Sequence, residues 1–185
     1  MLQCRETLNT LFMEMEKIMQ TMSAKVLGPQ DGRMAQLGAT GVRFMVDAAE
    51  SGNGFSLVEH PMAPRALGGP LHRHASEDEY SFVLVGRVGM QLGEETVYAE
   101  AGDLVFKPRC QWHTFWNAGD EPARLLEIIS PGGFEGYFQR LSDYLASVGG
   151  PPDPAAMGAI AAAYDLEVDP ESIPRLCAEH GLTIA

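Results

Sequence analysis

Two histidines two residues apart, a carboxylate five residues further on and a β-branched apolar run behind it constrain this chain most: His72-Arg73-His74, Glu79 and residues 80–85. Residues i and i+2 of an extended segment face one side of a sheet. His72 and His74 therefore offer their imidazoles to one point while Arg73 points away. Residues 80–85 are rich in aromatic and β-branched side chains, too short for a helix, and end at Gly86. They read as a buried strand that holds Glu79 rigidly beside the two rings. A second stretch, residues 102–117, gives turn chemistry at Gly102-Asp103, a short strand over 104–106, a turn at Pro108 and a new strand opening at His113. It delivers a third histidine.

These two stretches resemble the paired motifs of the cupin superfamily, G-x5-H-x-H-x3-4-E-x6-G and G-x5-P-x-G-x2-H-x3-N. In the first, His72 and His74 are followed by Glu79 and, six residues on, by Gly86; in the second, Gly102 leads to Pro108, His113 and Asn117. The resemblance spans residues 42–135 and departs from the pattern twice. Ala66 stands six residues before His72, with Gly68 and Gly69 nearby, and Cys110 stands where the second motif has glycine. Glycine in such a turn usually serves a positive φ, which costs a residue with a Cβ about 1 kcal/mol. Either Cys110 accepts that strain or the turn does not need it. The resemblance implies a metal held by His72, His74, Glu79 and His113. Glu77 and Asp78 are read as solvated turn residues, because the spacings select Glu79.

Around these motifs the chain is punctuated into short strands. Turns at residues 28–32, 51–54, 93–95 and 117–122 separate strands at 42–46, 55–59, 80–85, 88–92, 96–99, 104–106 and 124–129. Eight or nine strands make a β-sandwich or barrel, and the resemblance narrows this to an all-β core, the double-stranded β-helix or cupin jelly-roll barrel. Three parts are expected: an amphipathic N-terminal helical extension over residues 1–24, the barrel over 25–133, and a C-terminal helical region over 134–185 packed outside. In the first, Leu8, Leu11, Phe12, Met15, Met19 and Met22 form one stripe, although residues 1–21 also read as an extension ahead of a start at Met22. In the last, Phe134, Tyr137, Phe138, Leu141, Tyr144 and Leu145 share a face. Asp153-Pro154 reads as N-cap and N1 of a second helix, and Ser172 as the cap of a third ending before Gly181.

A net charge of −12 excludes nucleic acid and anionic membrane surfaces as natural partners. A small-molecule substrate and a second copy of the chain remain, and the Met-rich stripe favours a homodimer. Three widely spaced cysteines, Cys4, Cys110 and Cys177, lack any C-x-x-C and point to reduced thiols in the cytoplasm. No apolar run reaches the roughly 20 residues of a membrane span.

Three neutral imidazoles and one carboxylate suit one divalent transition metal per chain, Fe, Mn, Ni, Co, Cu or Zn, with open positions for a substrate. Strand alternation turns Ser81 and Val83 to the face of Glu79 and Phe115 to that of His113, with Phe134 and Phe138 placed to lid the mouth. The expected cavity is mostly apolar and fits a small aromatic or enolic molecule better than a sugar phosphate. By resemblance to the quercetinases, the chain is expected to be an O2-using dioxygenase in which Glu79 takes the substrate proton. A redox-neutral cyclase or isomerase and a non-catalytic binding protein are the alternatives. His60 is read as structural and His180 as a helix-end residue.

Overall fold

Alternation decides which strands face inward. In the computed structural model, which describes residues 24–183, Glu79, Ser81 and Val83 of one strand and Ala123, Leu125, Glu127 and Ile129 of another are buried while their neighbours are more exposed. The strands run β1(Arg33–Leu37), β2(Thr40–Val46), β3(Ser56–Met62), β4(Leu71–His74), β5(Asp78–Val85), β6(Arg87–Leu92), β7(Glu95–Glu100), β8(Leu104–Lys107), β9(His113–Asn117), β10(Ala123–Ser130) and β11(Leu166–Asp169). They form two antiparallel sheets, ordered β1-β2-β3-β10-β5-β8 and β11-β4-β9-β6-β7. Packed face to face, these are the two halves of a jelly roll.

Three helices follow the first ten strands: α1(Glu135–Ser147), α2(Pro154–Ala162) and α3(Ser172–His180). The N-terminal helix expected over residues 1–22 lies outside the described residues. Asp153 caps α2 as expected, its side chain accepting from the Ala155 amide. Ser172 does not cap α3. It is the first helical residue, and its hydroxyl donates to the Asp169 carbonyl and accepts from the Leu71 amide, tying the helix to β4. The C-terminal region is not purely helical, because β11 pairs with β4 and sets Leu166 opposite His74 and Val168 opposite His72. That strand covers an otherwise open sheet edge.

Two core clusters fill the space between the sheets. Val42, Phe44, Val58 and Ile129 pack with Phe134 and Phe138 at the start of α1. Val83, Val88, Met90, Phe115 and Leu125 fill the other end. A third cluster of Leu67, Trp116, Leu176 and Leu182 anchors α3 outside the β9 strand. Gly89 is required there, since a Cβ on it would stand 2.3 Å from the Trp116 ring. His180, expected at a helix end, lies in the last turn of α3 and stacks on Trp116 with centroids 4.3 Å apart.

Candidate metal centre

The four predicted donors converge across the two sheets. His72 and His74 come from β4 and His113 from the start of β9, paired through His72 and His113, while Glu79 reaches over from β5 of the other sheet. One ligand atom from each lies within 4.8 Å of all the others. Donors about 2.1 Å from a common ion stand about 3 to 4 Å apart, so this spacing suits a metal. Arg73 points away, ion-paired with Glu167 at 2.7 Å and set over the Trp112 ring.

The hydrogen bonding around the rings selects a cation for the space between them. Nδ1 of His72 donates to the Pro70 carbonyl at 2.8 Å and Nδ1 of His113 to the Gln111 carbonyl at 2.9 Å. A carbonyl only accepts, so in the neutral rings both Nε2 atoms carry lone pairs. Burial holds His72 well below the usual histidine range, helped by its imidazole neighbours, and holds His113 low as well. Yet the His113 Nε2 lies 3.0 Å from Glu79 Oε2, lone pair against carboxylate. Both ring nitrogens of His74 are buried with no hydrogen-bond partner. A divalent ion would answer the lone pair of His113 against the carboxylate and the orphaned Nε2 of His74, though not its Nδ1, which lies 3.5 Å from Glu77, and the donor set of three imidazoles and one carboxylate fits one.

Glu79 is held by more than the histidines. Its Oε2 accepts from Lys107 Nζ at 2.7 Å, and Lys107, 1% exposed, also donates to Glu127 at 3.1 Å. Glu127 in turn accepts from the Ser81 hydroxyl. Burial alone would raise the Glu79 pKa, but the Lys107 ammonium and the rings of His74 and His113 hold it well below the carboxylate range. Burial pushes Glu127 up to about 7. The expected mostly apolar surroundings are therefore corrected: a buried polar chain runs from Glu79 through Lys107 to Glu127 and Ser81.

Residues 59–129 match the family described as Cupin domain. That stretch contains all four donors, and the fold is the cupin jelly roll. A protein described as a predicted oxalate decarboxylase from Thermotoga maritima is 18% identical at TM-score 0.55, with 58% of this chain and 99% of that one covered. An RmlC-like cupin from Shewanella frigidimarina is 15% identical at TM-score 0.51, covering 62% and 98%. A sugar phosphate isomerase from a cupin superfamily, from Silicibacter pomeroyi, is 18% identical at TM-score 0.50, covering 57% and 75%. At these identities the likeness is one of fold. No curated protein matches the chain.

The two departures from the cupin motifs have local explanations. Cys110 does adopt a positive φ of 65°, and its amide donates to the His74 carbonyl at 2.7 Å. The approach to β4 places its positive φ at Arg65 rather than at residue 66, with Arg65 bound to Asp120 at 2.8 Å. Asn117 fills its motif position by bridging the Ala63 and Glu121 carbonyls.

Glu77 and Asp78 are not the solvated turn residues expected. The Glu77 carboxylate lies 3.5 Å from His74 Nδ1, and Asp78 takes a two-pronged contact from Arg109. Ser81, Val83 and Phe115 all point inward, but Ser81 is committed to Glu127 and Val83 lies in the far core cluster. Phe134 meets the His74 ring, while Phe138 and Phe115 flank buried His60 with centroids 5.3 and 5.5 Å away. An open groove of about 620 Å³ between the β2–β3 turn and α1, lined by Arg33, Asp47 and Arg140 among others, is separate from the donor cluster.

Proposed function

We propose that this chain is a cytoplasmic metalloenzyme holding one divalent transition ion, Fe, Mn, Ni, Co, Cu or Zn, on His72, His74, Glu79 and His113. It acts on a small aromatic or enolic molecule as an O2-using dioxygenase of the quercetinase type. The charge of the buried site carries this reading. Glu79, Glu127 and Lys107 together with a divalent ion sum to one positive charge, and Glu77 lies outside this group, 3.5 Å from His74 Nδ1. A buried excess charge favours an anionic partner, and a substrate hydroxyl ionised to a phenolate or enolate supplies one. Phe134, set against the His74 ring, offers an apolar wall for such a ring.

When bound, the ion supplies Lewis acidity to a substrate oxygen. The chain itself supplies orientation, exclusion of water by the aromatic side chains, and at Glu79 the carboxylate placed to accept the hydroxyl proton. Cys110 and Cys177 are free thiols, which suits a reducing compartment. Among the described residues no helix is long and apolar enough to cross a membrane.

Oxygen uptake by metal-loaded protein given flavonol-like substrates tests the reading. Uptake with loss of the flavonol chromophore supports it. Full metal loading with turnover to a product of unchanged mass replaces it with redox-neutral isomerisation, and loading with no turnover across the panel leaves a binding protein. We propose a homodimer as well, since Phe82, Leu104 and Phe106 expose apolar surface on β5 and the edge strand β8. Sedimentation should give twice 20.1 kDa. A monomer at micromolar concentration rejects the dimer.

A further inference from the structure

We propose that Lys107 is a positioning residue that fixes how Glu79 faces the ion, and that Glu127 and Ser81 anchor Lys107 for that purpose. The inference rests on the metal reading above and concerns side chains that contribute no ligand atom.

Strand β5 lies between β10 and β8 in the six-stranded sheet. Across one ladder Glu79 stands opposite Lys107; across the other Ser81 stands opposite Glu127. Lys107 and Glu127 are thus diagonal neighbours on either side of β5, and they meet at 3.1 Å above Ser81. A short side chain is needed at that crossing. Ser81 provides one, and its hydroxyl satisfies Glu127 from below at 3.0 and 2.9 Å.

The contacts of Glu79 divide between its two oxygens. Oε1 is 3.3 Å from His74 Nε2, while Oε2 takes the Lys107 ammonium at 2.7 Å and lies 3.0 Å from His113 Nε2. A carboxylate with one oxygen bound to an ammonium presents the other to an ion as a single donor, and its free rotation is lost. An ammonium buried to 1% exposure is expensive to desolvate, and it persists here because two carboxylates and the face of Phe115, 5.3 Å away, surround it. Support for a ligand explains why a sheet would bury lysine where an apolar residue would pack as well.

Cobalt(II) titration tests this with readouts that do not depend on turnover: affinity by calorimetry and the ligand-field absorption spectrum of the loaded protein. Lys107→Met removes the ammonium at similar volume. Because it leaves Glu127 without its cation, Lys107→Met/Glu127→Gln is measured alongside, with an amide that can still accept from Ser81. The expected result, in whichever variant folds, is one cobalt per chain bound 10 to 100-fold more weakly, with a changed spectrum. Wild-type affinity and spectrum in the folded double variant overturn the proposal, as does lowered thermal stability with an unaltered spectrum, which marks a structural role alone. Failure of wild-type protein to bind cobalt or any other divalent transition metal overturns the metal reading itself, a result distinct from the other two.

Discussion

The edge of Phe134 meets the ring of His74, centroids 4.3 Å apart and planes at 75°. Through this contact the first residue before α1 closes the barrel over a ring of the candidate donor cluster that has no hydrogen bond of its own. Packing here therefore does what a hydrogen bond does for His72 and His113.

Phe134→Ala should cost about 3 kcal/mol of stability, the usual range for an aromatic side chain removed from a core, and Phe134→Leu should cost clearly less. The same alanine variant should lose its metal faster to a chelator. Urea unfolding and stopped-flow chelation measure the two. Unchanged chelation kinetics in a destabilised variant would limit Phe134 to the core.

His60 predicts a pH dependence. Burial lowers its pKa to about 4, against about 6.5 in an unfolded chain, and its Nδ1 meets the Gly41 carbonyl at 3.1 Å. Between those values the unfolded chain binds the extra proton, so the contribution is complete above about pH 6.5 and is lost as pH falls toward 4. The most this difference amounts to is roughly 3 kcal/mol. Metal-free His60→Gln, measured by urea unfolding from pH 4.5 to 7, should show a shallower fall than the metal-free wild type. Parallel curves would remove His60 from the account.

The donors were legible because ligand spacing is a local property: alternation in β4 sets His72 and His74 on one face, and the strand after Glu79 is apolar enough to announce itself. Lys107 was not. A lysine before a proline reads as an exposed strand end, and only alternation with half-buried Val105, between exposed Leu104 and Phe106, places it inside. Glu127 carries the same signal between Leu125 and Ile129, yet a charge in such a run acquires meaning only with a partner from another strand. β11 was hidden for a related reason. Its Leu-Glu-Val-Asp sequence follows a helix and is held as a strand by β4, far away in the chain. Tertiary pairing, not propensity, decides it.

Cys110 holds a positive φ of 65° and is exposed, so its side chain contributes strain without core packing. Cys110→Gly should raise stability by about 0.5 to 1 kcal/mol, the steric relief offset in part by the greater freedom of glycine in the unfolded chain. Thermal unfolding of the two proteins side by side decides it. A lower melting temperature would mean that the Sγ contact near the Ala75 carbonyl outweighs the strain.

In the proposed function Glu79 is at once a candidate ligand and the candidate base, and Glu79→Gln separates these roles. The amide keeps size and an oxygen donor but removes the charge that holds Lys107. If Glu79 is a ligand alone, the substitution should weaken metal binding about 10 to 100-fold, with turnover recovered when metal is added in excess. If Glu79 is also the base, turnover should stay depressed by roughly 100-fold or more even with the site full. The ion pair with Lys107 bears on which outcome to expect. It favours the charged carboxylate: a proton arriving at Oε2 would have to displace an ammonium 2.7 Å away, and Oε1, the oxygen left to the ion, could take the proton only by giving up its coordination. Turnover measured at saturating metal is the deciding quantity, and full activity there would leave Glu79 as a ligand with no part in moving the proton.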